Sequence, residues 1–465
     1  MELLSQQLVD METLKDLIRR FTRWEYCGLV VLVVIILTLH LSTIMQPDRP
    51  LFDELHYVPD ARVVMGGDAT ERPEHTPLSK LFIIGGMELF GDNPVGWRFF
   101  PIVFSITGIV FFYLICRRLN LSKKVAFIAT FLLGLENLTF VHGHIAMLDI
   151  YSVTFALLSF WLYLKGRYIT CGIAIGLSAL TKLTGVLTIL VIGLHWILNG
   201  GLLKTWRQFR IIYRLLTRKV MRRWRLLTWF LTTRIWKRLR FIPSMLAAPI
   251  TFLGLMPLMD YGVFHEWQNP IKRIQEMMDI SGSITYDWVE VGTGSRPWMW
   301  VLTPEVMPYW YNPDYTGMIS PTLWVFIMPL VLYIIYRTIR GNTPMLFPLS
   351  WFIGSYLFWI PVSLITDRVT YLFYFYPTVG AIALGLTIAI SPLLNRAIGR
   401  GVIAIYLLLH AVAFIIISPV ALCWSIPLCL LLFIFTIWFT GLGEGFRFHR
   451  MEKPPEVQVD MPLKQ

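Results

Sequence analysis

Two adjacent carboxylates followed by an imidazole, in Phe52-Asp53-Glu54-Leu55-His56-Tyr57, open the chemically suggestive part of this chain. Paired acids at a membrane boundary are costly to desolvate, so such a pair is rarely accidental. A hydroxyl that attacks a sugar carbon needs a carboxylate within hydrogen-bond reach to take its proton. Asp53 could be that base, with Glu54 beside it. The bland alternative is a solvated interfacial loop that happens to carry two acids.

Cations follow at intervals. Glu74-His75-Thr76-Pro77-Leu78-Ser79-Lys80 leads into an apolar stretch, and Gly96-Trp97-Arg98-Phe99-Phe100-Pro101 opens the next one. A lysine point charge and a forked guanidinium are what a phosphate at a bilayer surface requires, since arginine can bind two oxygens at once. Lys80 and Arg98 are therefore candidate phosphate ligands, with snorkelling to headgroups as the alternative for each. His142-Gly143-His144 and, after it, Asp149 invite a metal reading, but the spacing is not that of a helical metal motif. A divalent cation is thus compatible with the sequence without being supported by ligand spacing, and no metal ligand is assigned. Later come Ser295-Arg296-Pro297-Trp298-Met299-Trp300 and the run from Asp367-Arg368 through Tyr371, Tyr374 and Tyr376 to Pro377. Arg368 is a further candidate phosphate contact, and the aromatic residues form either an interface belt or a wall for a prenyl tail or sugar face.

The elements that must position these groups are membrane helices. Hydrophobic residues make up 56% of the 465 and charged residues only 15%, so most side chains must face something other than water. Apolar runs approach or reach the roughly 20 residues that cross a bilayer as a helix. The formal charge of +12 is unevenly spread, with thirteen Lys or Arg between Lys204 and Arg240. That stretch reads as a cytoplasmic connector on anionic lipid, not as a nucleic-acid site. Placing it and the other basic turns inside predicts twelve spans, at about 27–45, 99–116, 125–142, 148–164, 168–181, 184–199, 241–260, 321–337, 344–363, 369–391, 401–418 and 421–441.

The expected architecture is an all-α polytopic membrane protein of about 12 transmembrane helices. An amphipathic cytoplasmic segment (1–26) precedes an N-terminal module (27–199) with an external loop at 46–97. The basic connector (200–240) leads to a second module (241–441) with an external loop at 261–320, and a cytoplasmic tail (442–465) follows. The five cysteines lie in or beside apolar runs and do not report the redox compartment.

Taken in order, the acid pair, His-x-Pro-Leu-x-Lys, Trp-Arg-x-x-Pro, Leu148-Asp149, Gly176-Leu-Ser-Ala-Leu-Thr-Lys-Leu-Thr-Gly185, Ser-x-Pro-Trp-x-Trp and Tyr-x-x-Tyr-x-Tyr-Pro resemble the protein O-mannosyltransferase family. The resemblance is strongest over residues 52–185 and recurs as far as Pro377. It implies a C-type membrane glycosyltransferase (GT-C) fold. It also implies an inverting transfer of mannose from dolichyl or polyprenyl phosphate to a Ser or Thr hydroxyl on the non-cytoplasmic side of the membrane.

Carried over by residue, Asp53 would be the base, Glu54 its partner in acceptor or sugar binding, and Arg98 a phosphate ligand, while Lys80 and Asp149 match family positions. His75, His144, Asp149, Arg296, Trp298 and Tyr374 are the remaining candidate substrate contacts. The implied partners are a lipid-linked sugar donor, a protein or glycolipid acceptor and membrane lipid. The chain departs from the family at Thr76 and Ser79, where Pro and Gly are usual, and at Gly143-His144, where Ser-Arg is usual; the external beta-trefoil module is absent. These departures leave open an acceptor that is a glycolipid or glycan. A transporter or flippase of lipid-linked sugars is the rival of another class.

Overall fold

The computed structural model describes residues 25–200, 241–286, 292–311, 314–420 and 422–442. The basic connector, nearly all of the N-terminal segment and the C-terminal tail expected from sequence lie outside the described residues.

The first span is α1 (Cys27–Thr43). The stretch behind it, expected as an external loop, is not a bare loop: it folds into α2 (Glu54–Met65) and α3 (Pro77–Phe90). Next comes α4 (Pro94–Arg118), which starts where a helix should. Pro94 occupies the first turn, and the Asn93 side chain accepts from Val95 N at 3.0 Å and from Gly96 N. The close crossing of α3 on α4 needs glycine, because a Cβ on Gly86 would lie 2.2 Å from the Gly96 carbonyl oxygen.

The span expected at 125–142 is two helices, α5 (Lys123–Gly134) and α6 (Asn137–His142). Glu136 is the physical reason. Its side chain accepts from Thr139 N at 2.7 Å and from Ser320 N at 3.1 Å, so it caps a new helix and ties it to a distant segment. Helices α7 (Leu148–Leu164) and α8 (Tyr168–Thr181) follow, then a 3-10 turn (Leu183–Leu187) and α9 (Thr188–Leu198).

After the connector, α10 (Phe241–Met245) runs into α11 (Ala247–Phe264). The second stretch expected as an external loop carries α12 (Pro270–Ser283), the short α13 (Met299–Leu302) and a hairpin of β1 (Met307–Tyr311) with β2 (Asp314–Gly317). The rest is helical again: α14 (Pro321–Trp324), α15 (Ile327–Ile339), α16 (Leu346–Phe352), a π turn (Ile353–Leu357), α17 (Trp359–Thr366), α18 (Tyr376–Ile390), α19 (Ala397–Ile417) and α20 (Leu422–Thr440).

Among the described residues, seven helical stretches are long and apolar enough to cross a membrane, beginning with Pro94–Arg118 and ending with Cys423–Thr440. Four shorter apolar stretches, Cys27–Thr43, Leu148–Leu164, Tyr168–Thr181 and Leu183–Leu198, coincide with four more of the twelve expected spans. The chain is an integral membrane protein of mainly helical architecture. Its largest buried cluster runs through α1, α4, α5, α7, α16 and α18, where Phe112, Phe131, Phe347 and Phe375 are fully enclosed. A smaller cluster around Leu51, Met147, Tyr309 and Phe373 packs the hairpin against the segment that precedes Asp53.

Candidate functional site

Asp53 is the residue that begins α2, and the backbone before it is unusual. Phe52 has φ +48°, a left-handed conformation costly for a bulky side chain, and its ring stacks on Tyr309 at 4.1 Å between centroids. This turn sends the two neighbouring acids into different surroundings. Asp53 stays partly open, whereas Glu54 is fully buried.

Asp53 Oδ2 lies 3.4 Å from the Tyr57 hydroxyl. Burial pushes the Asp53 carboxyl up to about 6, and the nearby Asp149 adds to this; Lys182, the Tyr57 hydroxyl and Arg72 oppose it. A carboxylate so poised is ionised at neutral pH and basic enough to take a proton.

The charge pair facing Asp53 comes from two other helices. Asp149 sits in the first turn of α7, and Lys182 follows the last residue of α8. Lys182 Nζ donates to both Asp149 oxygens, at 2.7 and 2.8 Å, and lies 5.1 and 5.3 Å from the ring centroids of Phe373 and Tyr374. Gly185 allows the chain to turn tightly there, since a Cβ would meet the Ser178 carbonyl at 2.4 Å. Asp149, Lys182 and Tyr374 line a mostly apolar cleft whose other walls include Leu157, Phe160 and Trp351. A charged pair on an apolar cleft suits an amphiphile with an anionic head and a hydrocarbon tail.

Several sequence-derived assignments change. Arg98 is fully buried, and all of its donors are used inside the protein. Nε and Nη2 donate to Glu54 at 3.1 and 2.9 Å, and the remaining bonds go to the carbonyls of Ile44, Pro47 and Arg49. It has nothing left for a phosphate. Glu54 is equally committed, accepting also from Leu51 N and Ala146 N. Lys80 is buried too, paired with Asp60 at 3.1 Å and bonded to Thr70 and the Arg72 carbonyl.

His144 lies inside the bundle. It stacks with His40, their Nδ1 atoms 3.2 Å apart, while its neighbour in sequence spacing, His142, turns to the Tyr309 hydroxyl at 2.9 Å. These different partners remove the appearance of a two-histidine site. Arg296 bonds Asp367 at 2.5 Å and Ser363, and covers the Tyr286 ring at 3.9 Å, with Trp298 beyond it. Arg296 thus packs on the segment leading to Arg368.

His75, Asp149, Tyr374 and Arg368 do converge on the region of Asp53. His75 Nε2 is 3.4 Å from the Tyr57 hydroxyl, and Arg368 is among the cations that act on His75. The Arg368 Nε is buried without a hydrogen-bond partner, and the residue follows a left-handed Asp367 at φ +51°. In the sequence Lys182 stands only within the Gly176–Gly185 motif; the signal that marks it is the rarity of a lysine at the end of an apolar helix.

Residues 74–219 match the family model described as dolichyl-phosphate-mannose-protein mannosyltransferase. A polyprenol-phosphate-mannose–protein mannosyltransferase of Mycolicibacterium smegmatis is 34% identical over 128 residues, 26% of this chain and 25% of that protein. The chain therefore matches only a quarter of that relative's length. The enzyme of the same name from Corynebacterium glutamicum is 23% identical over 463 residues, covering 83% of this chain and 87% of the relative. Among solved structures, the Saccharomyces cerevisiae protein O-mannosyltransferase Pmt1-Pmt2 complex bound to the sugar donor superimposes with a TM-score of 0.65 at 12% identity, over 84% of this chain and 89% of that one. These matches bear out the resemblance to the protein O-mannosyltransferase family, and the structural likeness shows that this chain shares the fold of the Saccharomyces cerevisiae chain.

The reassignment of Arg98 has a measurable consequence. Removing one partner of a fully buried ion pair strands the other, at a cost of about 3–5 kcal/mol. Arg98→Met should therefore lower the thermal unfolding midpoint of the detergent-solubilised protein sharply. An unfolding profile identical to wild type would return Arg98 to the list of ligand-binding residues.

Proposed function

We propose that this chain is an inverting glycosyltransferase that moves mannose from a dolichyl or polyprenyl phosphate to Ser or Thr hydroxyls of protein, on the non-cytoplasmic side of the membrane. The observation that carries this reading is the meeting of a basic carboxylate, Asp53, with the Asp149–Lys182 pair on the lining of a mostly apolar cleft. The names of the similar proteins supply the sugar and the acceptor class.

The residues then divide the work. The cleft takes the first isoprenoid units, and the donor phosphate lies against Lys182 and Arg368. As the acceptor oxygen attacks the anomeric carbon from the opposite face, Asp53 receives its proton and the carbon–phosphate oxygen bond breaks. Negative charge grows on the departing lipid phosphate, where a cation placed in advance is worth most. Asp149 keeps Lys182 extended toward that position, because one carboxylate binds the ammonium through both oxygens. Tyr374 and the neighbouring aromatic rings offer faces for the sugar.

Asp53→Asn preserves shape and removes basicity, so donor binding should persist while transfer of labelled mannose to a Ser/Thr peptide falls by roughly 10²–10⁴-fold. Transfer at the wild-type rate would place the base elsewhere. Transfer to a glycolipid but to no peptide would keep the chemistry and reject the protein acceptor.

Lys182→Met should instead weaken donor binding and slow transfer together, because the phosphate loses its charge partner in both ground and transition states. Donor affinity and turnover equal to wild type would remove Lys182 from the phosphate site.

The sidedness follows from the charge asymmetry. An impermeant thiol reagent should label a cysteine introduced at Leu55 from outside intact cells, and one introduced at Arg223 only after permeabilisation. Labelling of both from one side would refute the threading.

A further inference from the structure

A chain of polar groups behind Asp53 has no place in the mechanism so far. Tyr57 is one helical turn beyond Asp53 and belongs to a buried cluster with Val58, Ala61, Ile84 and Trp97, with only 7% of the residue exposed. Its hydroxyl lies 3.4 Å from Asp53 Oδ2 on one side and 3.4 Å from His75 Nε2 on the other. The His75 ring stands edge-on to it, at 80° and 5.3 Å between centroids, and Glu74 Oε1 approaches the same nitrogen at 3.6 Å.

We propose that Tyr57, backed by His75, is a positioning residue for the transfer reaction: its hydroxyl aims the Asp53 carboxylate at the acceptor and favours its ionised form. The inference rests on Asp53 being the base. An ionised carboxylate only accepts, so the single hydroxyl proton of Tyr57 goes to Asp53, and the tyrosine oxygen is left to accept from the His75 Nε2–H. This fixes the tautomer of His75 and places its ring behind the base instead of on the sugar.

The charges around the chain fit these roles. Lys182, Asp149 and Arg72 face Asp53. Burial, with Lys80, Lys182, Arg72 and Arg368 nearby, holds His75 well below its usual range, so it is a neutral donor. Burial and the surrounding acids keep the Tyr57 phenol protonated. Both contacts are at the long end for hydrogen bonds, as acid-base contacts commonly are before substrate binds.

The pH profile of kcat/KM for peptide mannosylation separates this role from a merely structural one. The wild-type acid limb should fall near 6, where the Asp53 carboxyl titrates. Tyr57→Phe deletes one donor to the charged form, so the limb should move up by about one pH unit while donor-lipid binding stays unchanged. The loss is then several-fold at acid pH and shrinks as the pH rises. His75→Leu should shift the limb in the same direction, and His75→Gln, which keeps an N–H donor, should stay close to wild type. If Tyr57→Phe proves unable to fold, the two His75 variants carry the comparison. An unmoved acid limb, or the same fractional loss at every pH, overturns the proposal while leaving Asp53 as base. Wild-type transfer by Asp53→Asn would overturn the reading beneath it.

Discussion

The buried pair of Glu54 with Arg98 organises the non-membrane end of the first half of the molecule. One carboxylate and one guanidinium, both without solvent access, join the start of α2 to α4. The same arginine gathers the carbonyls of Ile44, Pro47 and Arg49, and the same glutamate receives the amide of Ala146. Ala146 precedes Asp149 by three residues, so the pair also sets where α7 begins relative to α2. Desolvating two charges is costly, and it is tolerated here because nearly every lone pair and proton is satisfied. Asp53 and the Asp149–Lys182 pair inherit their register from that network.

The division of labour between two adjacent acids follows from this anchoring. With Glu54 drawn inward and Phe52 forced into a left-handed turn, Asp53 is held at the rim with a single side-chain hydrogen bond. The Glu54 carboxylate is held by four internal hydrogen bonds. The one left under-solvated and poorly paired titrates near 6 and can exchange a proton. The cations sort in the same way. Arg98 and Lys80 are consumed by internal partners, while Lys182 lines the cleft and the Arg368 Nε has no hydrogen-bond partner.

The bundle also explains why the lipid-facing chemistry is asymmetric. The cleft below Lys182 is walled by α7, α9, the π turn and α17, none of them adjacent in sequence to Asp53. Lys182, on its lining, sits just past the end of the apolar helix α8. Helices that cross a bilayer satisfy their own backbone, so polar groups concentrate where the helices stop.

Much of the architecture was legible from composition and periodicity, because apolar length and the distribution of Lys and Arg are local properties that the bilayer reads directly. The spans around α4, α11 and α18 needed no tertiary information, and Asp53 stood out because acids are rare beside apolar runs. The interruption at Glu136 was not legible, since the amide it caps together with α6 belongs to Ser320, far along the chain. Nor could the sequence rank its cations. Arg98 and Lys182 are equally conspicuous as residue types, and only the packed helices decide that one faces five internal acceptors while the other lines a cleft. Charge and hydropathy are carried by each residue wherever it lies, but the availability of a charged group for chemistry depends on which distant partners have already satisfied it.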